Sequence, residues 1–190
     1  MGHAMLNPRL AILPLALLLY GFFDSLHFKD AGSGLAIDPP NSYIAVPLPP
    51  SDKSTAAVLV GVFRYDADIR NPVPPLCILG LHVRSDNSRL SQDQLNTRMR
   101  DAGQIASIRK IFHGSFAVLA DEPVELEGVL GHQFTMESQD ATGGYEDLLQ
   151  INSAFDTPSG RVTLNCITER TTLTSNLVSF GLIRESFTLP

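Results

Sequence analysis

The chain has 190 residues with 14 Lys+Arg against 20 Asp+Glu, a formal net charge of −6, and 44% hydrophobic and 18% charged residues. That composition builds a buried core and excludes a disordered polymer, while the acidic balance excludes a nucleic-acid binder, which needs a basic stripe to displace counterions from phosphates. One long apolar run excludes a polytopic membrane protein, and 2 cysteines are too few for a disulfide-dense scaffold or a four-cysteine zinc site.

The apolar run is Leu10–Phe23 (LAILPLALLLYGFF), preceded by Arg9 and ended by Asp24. A basic stretch before an apolar core of this length is the pattern of a secretory signal, whereas a spanning helix takes roughly 20 apolar residues. No A-x-A triplet follows the run; the nearest small-residue cluster is Ala31-Gly32-Ser33, and Leu26 and Phe28 extend the apolar character. An uncleaved signal-anchor is therefore the alternative to a cleaved signal. No Cys follows the run, which argues against bacterial lipidation, and Pro14 argues against a buried N-terminal helix. The expected organisation is a signal peptide or signal-anchor over 1–30 and a single domain over 31–190, exported to the periplasm, the cell envelope or the medium, or held at the membrane through Leu10–Phe23.

Asp30–Gly34 reads as a small-residue linker, followed by the short apolar piece Leu35–Ile37 and the strand Tyr43–Leu48, which Pro47, Pro49 and Pro50 confine to an edge. Ala56–Tyr65 (AAVLVGVFRY) is a continuous β-branched and aromatic run and reads as a central strand; Cys77–Arg84 (CILGLHVR) is another. Helix chemistry appears at Leu90–Leu95, where Ser91 can cap free N–H groups and Gln94 can reach back, and Gly103 is placed to close that helix. Four strands are expected next: Ser107–Phe112, Phe116–Leu126 with a break at Asp121–Pro123, Leu130–Ser138 and Leu148–Phe155. The turn Thr157-Pro158-Ser159-Gly160 leads into the strand Arg161–Thr168, and Thr171–Phe187 places Leu173, Leu177, Phe180 and Phe187 at helical spacing. Segregated strands with two helices indicate an α+β fold, an antiparallel sheet covered by helices.

Cys77 lies on the same strand face as Leu79, Leu81 and Val83, and Cys166 on the same face as Val162 and Leu164, so both thiols point to the apolar side. They fit small buried hydrophobes or, in an exported protein, a disulfide. The histidines show no metalloprotease spacing, and no zinc or other metal site is expected. From Ile111 to Gly160 there is no Lys or Arg but there are acids throughout, among them Asp121, Glu122, Glu125 and Glu127, with Glu125 and Glu127 expected on one strand face. Such a cluster is either a solvated face or a contact surface for a basic protein partner or loosely held divalent cations, although no EF-hand loop is present. No G-x-S-x-G elbow, P-loop or G-x-G-x-x-G is present, and no cofactor is implied.

Several segments resemble the PsbP-like superfamily: Gly34-Leu35-Ala36-Ile37-Asp38-Pro39-Pro40-Asn41-Ser42-Tyr43, the Leu90–Gly103 helix after the third strand, Gly128-Val129-Leu130-Gly131-His132-Gln133-Phe134, Phe155–Leu164, and the closing Ile183-Arg184-Glu185-Ser186-Phe187. The superfamily groups extrinsic photosystem proteins, a yeast nuclear-import factor and bacterial envelope proteins of the LpqN and DcrB kinds. The resemblance implies an α/β/α sandwich around a central antiparallel sheet with a C-terminal helix, and a non-catalytic accessory or binding role with no catalytic residues to carry over. The chain departs from the lipoprotein members in lacking a lipobox Cys. The expected function is accordingly an exported or membrane-anchored accessory domain that contacts a protein partner or envelope complex. Two rivals stand beside it: a hydrolase with dispersed residues such as Ser115, His113 or His132, and a small-molecule or lipid carrier with a pocket between sheet and helix.

Overall fold

In a computed structural model that describes residues 27–49, 56–65, 75–139 and 147–190, the apolar runs of the sequence form strands and the polar-capped segments form helices. Leu10–Phe23 lies outside the described residues. Strands β1 (Phe28–Lys29), β2 (Ala36–Ile37), β3 (Tyr43–Pro47), β4 (Val58–Arg64) and β5 (Cys77–Val83) come first. Helices α1 (Gln92–Met99) and α2 (Ala102–Phe112) precede the long strands β6 (Phe116–Leu126), β7 (Val129–Ser138), β8 (Leu148–Thr157) and β9 (Gly160–Glu169). Helix α3 (Leu173–Glu185) and β10 (Phe187–Thr188) follow.

Seven strands make one sheet in the order β3-β4-β5-β9-β8-β7-β6, and three short ones make a second in the order β1-β2-β10. Every pairing is antiparallel. The period-2 alternation of the strands sends Val60, Val62, Cys77, Leu79, Leu81, Ile151, Phe155, Val162, Leu164 and Cys166 to one face, where Leu35, Ile37, Phe180, Ile183 and Phe187 from the small sheet and α3 close the main core. On the other face Phe134 and Met136 meet Met99, Ile105 and Ile108 of α1 and α2 in a second, smaller core. The fold is α+β, with a large antiparallel sheet between helical layers and a C-terminal helix.

The local signals explain most boundaries. The Ser91 side chain accepts from the Gln94 N–H while the Gln94 side chain accepts from the Ser91 N–H, a complete capping box at the start of α1. Gly103 does not close that helix. Helix α1 stops at Met99, and the Asp101 carboxylate caps α2 by accepting from the Gln104 N–H at 2.8 Å, so Gly103 lies in the first turn of a second helix. Ser107–Phe112, expected as a strand, is the body of α2: Ile105 and Ile108 recur at helical spacing and both are buried. Nor does β6 break at Asp121–Pro123. Pro123 is tolerated because β6 is an edge strand, and the ladder's irregularity falls instead between Val118 and Ala120. Asp30–Gly34, expected as a linker, is the turn joining β1 to β2, with the Asp38-side chain end of β2 carried on by an Asp38 N–H donation to the Ser186 carbonyl. Within α3, Leu177 is exposed, and Phe187 stands in β10 rather than in the helix.

Two tight hairpins shape the long strands. Glu127 and Gly128 both have positive φ (51° and 80°), the backbone of a two-residue turn whose twist matches its flanking strands β6 and β7. At the start of β9, Gly160 has φ +147°, and a Cβ there would stand 2.3 Å from the His82 carbonyl oxygen, so only glycine lets the β8–β9 hairpin close against β5.

Cys77 and Cys166 stand directly opposite each other in the β5–β9 ladder and are joined by a disulfide, with an S–S distance of 2.07 Å. Ile167 N–H donates to the Leu76 carbonyl at 3.0 Å, which marks the pair as a non-hydrogen-bonded position, where facing side chains approach most closely. The bridge spans a sequence separation of 89 residues. Constraining the unfolded chain over such a loop stabilises the fold by about 4–5 kcal/mol on the loop-entropy estimate. Urea unfolding should therefore show the Cys77→Ala/Cys166→Ala variant less stable than the oxidised parent by about 4 kcal/mol, with reductant destabilising the parent and leaving the variant unchanged.

Candidate interaction surface

The two faces of the large sheet are covered unequally. Helix α1 packs on β7 and β8 and α2 on β6, so among the described residues no helix covers the remaining half of that face, over β3, β4, β5 and β9. The register lines this half with Ile44, Val46, Leu59, Phe63, Ile78 and Ile167. They are half-buried, except Ile167, which is exposed, and none belongs to either buried cluster. Gly61 and Gly80 keep the surface flat: a Cβ at Gly61 would meet the Phe63 ring at 2.6 Å, and one at Gly80 would meet Leu59 at 3.3 Å, so both apolar side chains lie down over a glycine.

Amides mark the boundary with the helix-covered half. Gln150 Nε2 donates to Asn165 Oδ1 at 2.9 Å, Asn152 Nδ2 donates to the same oxygen, and the buried Asn152 Oδ1 has no partner among the described residues. Nearby, burial first and then the Arg161 charge hold the His82 imidazole below its usual pKa, so it is neutral at pH 7. The open half is thus an uncharged apolar surface with a short amide border.

A buried ionic cluster lies at one end of this surface. Arg161 donates from Nε and Nη2 to the two Asp156 oxygens at 2.8 and 2.9 Å, Arg98 Nη2 adds a third contact at 3.3 Å, and the Asp156 side chain is 0% exposed. Asn87 Nδ2 donates to the Thr157 and Gly160 carbonyls at 3.0 and 3.3 Å, and Gln92 Nε2 to the Asp156 carbonyl at 3.0 Å. The cluster fastens α1 and the single turn before it to the β8–β9 hairpin. Burial acts to raise the Asp156 pKa, but the Arg161 hydrogen bonds and charge, joined by Arg98 and Arg84, outweigh it and hold the carboxyl below the usual carboxylate range. A depressed folded-state pKa makes this contribution complete above the ordinary carboxylate pKa of about 4 and progressively lost as the pH falls through the lower folded value.

The acids nominated by the sequence do not form one patch. Asp121 is paired with Arg109, whose Nε donates at 2.8 Å, and lies 3.5 Å from His132 Nε2; the Arg109 hydrogen bond holds its carboxyl below the usual range. Glu122 accepts from Gln133 Nε2 at 2.8 Å. In the register, Asp121 and Glu125 oppose Phe134 and Leu130 on the α1–α2 face, whereas Glu122 opposes Gln133 on the α3 face. Glu125 and Glu127 do not share a strand face, because strand alternation stops at Leu126 and Glu127 begins the turn.

The rival sites also have definite places. His132 is packed at 5.1 Å, centroid to centroid, from the Phe134 ring with Nε2 towards Asp121 at 3.5 Å, and among the described residues no serine hydroxyl engages either ring nitrogen. His113 caps the end of α2, and the Ser115 N–H is spent on the Phe112 carbonyl. Between the large sheet and α3, the space a carrier would need is filled by Ile37, Phe155, Ile183 and Phe187, all nearly inaccessible. Among the described residues no three His, Cys, Asp or Glu side chains gather to hold a metal ion.

Sequence reasoning missed the open half-face and the Asp156 cluster. The first had a signal in Ala56–Tyr65, where apolar residues occupy both faces of the strand while no helical segment lies near in sequence to cover the second face. The second had a signal in one part, since Asp156 and Arg161 flank the Thr157-Pro158-Ser159-Gly160 turn, and none in the other, because Arg98 and Asp156 are 58 residues apart. Asp156→Asn removes the charge that two guanidinium groups need. It should cost about 3 kcal/mol at pH 7 and flatten the loss of stability below about pH 4, both read by denaturant unfolding at pH 7 and pH 3.

Comparison with known proteins matches no family model and no curated protein sequence. Among solved structures, the chain is similar to cyanobacterial PsbP (CyanoP) from Synechocystis sp. PCC 6803, with a TM-score of 0.51 at 13% identity over 86% of this chain and 91% of that one. The chain therefore has a PsbP-like fold: a large antiparallel sheet between helical layers, closed by a C-terminal helix.

Proposed function

We propose that this protein is an exported, non-catalytic accessory domain that binds a protein partner through the open half of its α1–α2 face. The observation that carries the proposal is the apolar set Ile44, Val46, Leu59, Phe63, Ile78 and Ile167, aligned by the register, outside both cores and without a described covering helix. A contiguous apolar sheet surface gains free energy when a second protein removes it from water. The neighbouring amides supply hydrogen bonds of the kind that fix orientation at the rim of an interface.

Export is supported by the signal pattern of Leu10–Phe23 and by the Cys77–Cys166 bridge, since disulfides persist in oxidising compartments. The bacterial envelope proteins of the LpqN and DcrB kinds are the relatives this reading favours, because they share its compartment. Glu125 and Glu127, which have neither a described ion pair nor a described side-chain hydrogen bond, whereas Asp121 is held by Arg109 and Glu122 by Gln133, are assigned the steering of a basic partner surface.

Site-specific photocrosslinking in the native host tests the proposal. A crosslinking residue at Ile78 or Ile167 should give the same discrete adduct from the envelope fraction, and one at the exposed Ile111 of α2 should not. Ile78→Glu in the Ile167-labelled chain should abolish the adduct with the fold intact. Adducts that do not depend on the labelled position would end the reading, and full-length protein found in the cytosol would end its export half. Glu125→Lys/Glu127→Lys should slow adduct formation several-fold at low salt and not at high salt.

A further inference from the structure

Helix α3 is apolar on two sides. Phe180 and Ile183 enter the main core, yet Val178 and Leu182, one turn apart on the outer side, are 68% and 50% exposed, and Leu177 beside them is 39% exposed. Gly181 lies between them with nothing within 4 Å of the position a Cβ would take, so the strip is smooth as well as apolar. A surface helix ordinarily turns polar side chains outward, and the main core does not use these three residues.

The second observation is where the chain enters the domain. Phe28, Ile37 and Phe187 form one row across β1, β2 and β10, and the Asp38 N–H donates at 2.9 Å to the carbonyl of Ser186, which follows α3 directly. One register position on, His27 Nδ1 lies 3.4 Å from Asp38 Oδ1. The entry point is therefore two strand spacings, about 10 Å, from the C-terminal end of α3. Only Asp24, Ser25 and Leu26 separate His27 from the uncharged run Leu10–Phe23, a reach of at most about 14 Å.

We propose that the outer side of α3 rests on the surface of a lipid bilayer, with Leu177, Val178 and Leu182 at the level of the headgroups and upper acyl chains. The proposal takes Leu10–Phe23 as an uncleaved anchor, one of the two fates its sequence allows. Three aliphatic side chains bind a bilayer weakly alone; a tether that enters about 10 Å from the C-terminal end of the helix that carries them raises their local concentration enough to keep them engaged. Near the entry point and the end of α3 the charges are mixed, Lys29 with Asp38 and Glu185, while Arg184 is turned inward to donate to Gln133 at 2.9 Å, so no basic cluster selects an anionic surface and a zwitterionic one suits. With α3 on the membrane, the open half of the opposite sheet face points away from it, free for a protein partner.

Depth-dependent quenching on the full chain tests this. The chain is reconstituted in phosphatidylcholine vesicles containing acyl-chain-brominated lipid, with an environment-sensitive fluorescent amino acid at Val178, at Leu182 or at Ile111. The labels at 178 and 182 should be quenched about twofold or more and the label at 111, on the other side of the sheet, should not. Equal quenching at all three positions, or none at 178 and 182 in vesicle-bound chain, overturns the proposal. So does a chain that fails to float with the vesicles. A label at 178 shielded from aqueous iodide equally with and without vesicles would assign the strip to the chain's own N-terminal run or to a second copy. None of these outcomes bears on the crosslinking at Ile78 and Ile167, so the two proposals fail separately.

Discussion

The β5–β9 ladder is the one seam that joins the two halves of the large sheet. β3, β4 and β5 form a meander from the first part of the chain, and β6 to β9 form another from the second, with α1 and α2 between them in sequence. Strands on opposite sides of the seam touch through this ladder alone in the sheet order. Its closure is entropically expensive because the paired residues are far apart in sequence. Each end of the seam is secured by a different kind of bond. The disulfide holds the Cys77↔Cys166 end, while at the Val83↔Gly160 end Asn87 grips the hairpin carbonyls and Arg161 enters the buried pair with Asp156. The main core rests on this alignment: a slip of one residue would turn Leu79, Leu81, Val162 and Leu164 out of it.

The unequal covering of the α1–α2 face follows from dimensions. Seven strands at about 4.8 Å span roughly 29 Å, whereas two helices about 10 Å in diameter cover about 20 Å. The α3 face has a helix and a three-stranded sheet at its disposal and is closed more completely. Among the described residues the domain is consequently two-sided, with one face closed by helix and sheet and the other covered over half its width.

Local chemistry was legible in the sequence, and non-local chemistry was not. The Ser91–Gln94 box, the edge character of Tyr43–Pro47 and the alternation of Arg161–Thr168 each depend on residues a few positions apart, and each element appears where its pattern lies. Gly103 misled because glycine closes helices often, yet here Asp101 two residues earlier starts one. Asp121-Glu122-Pro123 resembled a break because Pro and adjacent acids are poor strand formers, and an edge position is what tolerates them. Alternation put both thiols on the apolar side, but their apposition needed the register of two strands 89 residues apart. The acids of the β6–β7 hairpin read as one charged face because nothing in the sequence announced that the turn begins at Glu127.

The composition of the two outermost strands has a consequence for assembly. β3 ends in Pro47, while β6 carries Asp121, Glu122, Pro123 and Glu125 and a register irregularity between Val118 and Ala120. An incoming strand would meet a missing donor at Pro47 on one margin and a kinked line of carboxylates on the other, so lateral growth by β-augmentation is discouraged at both. Contacts are thereby diverted from backbone to side chains. A domain concentrated at a membrane or in a crowded envelope can expose half an apolar sheet in this way without polymerising along its margins.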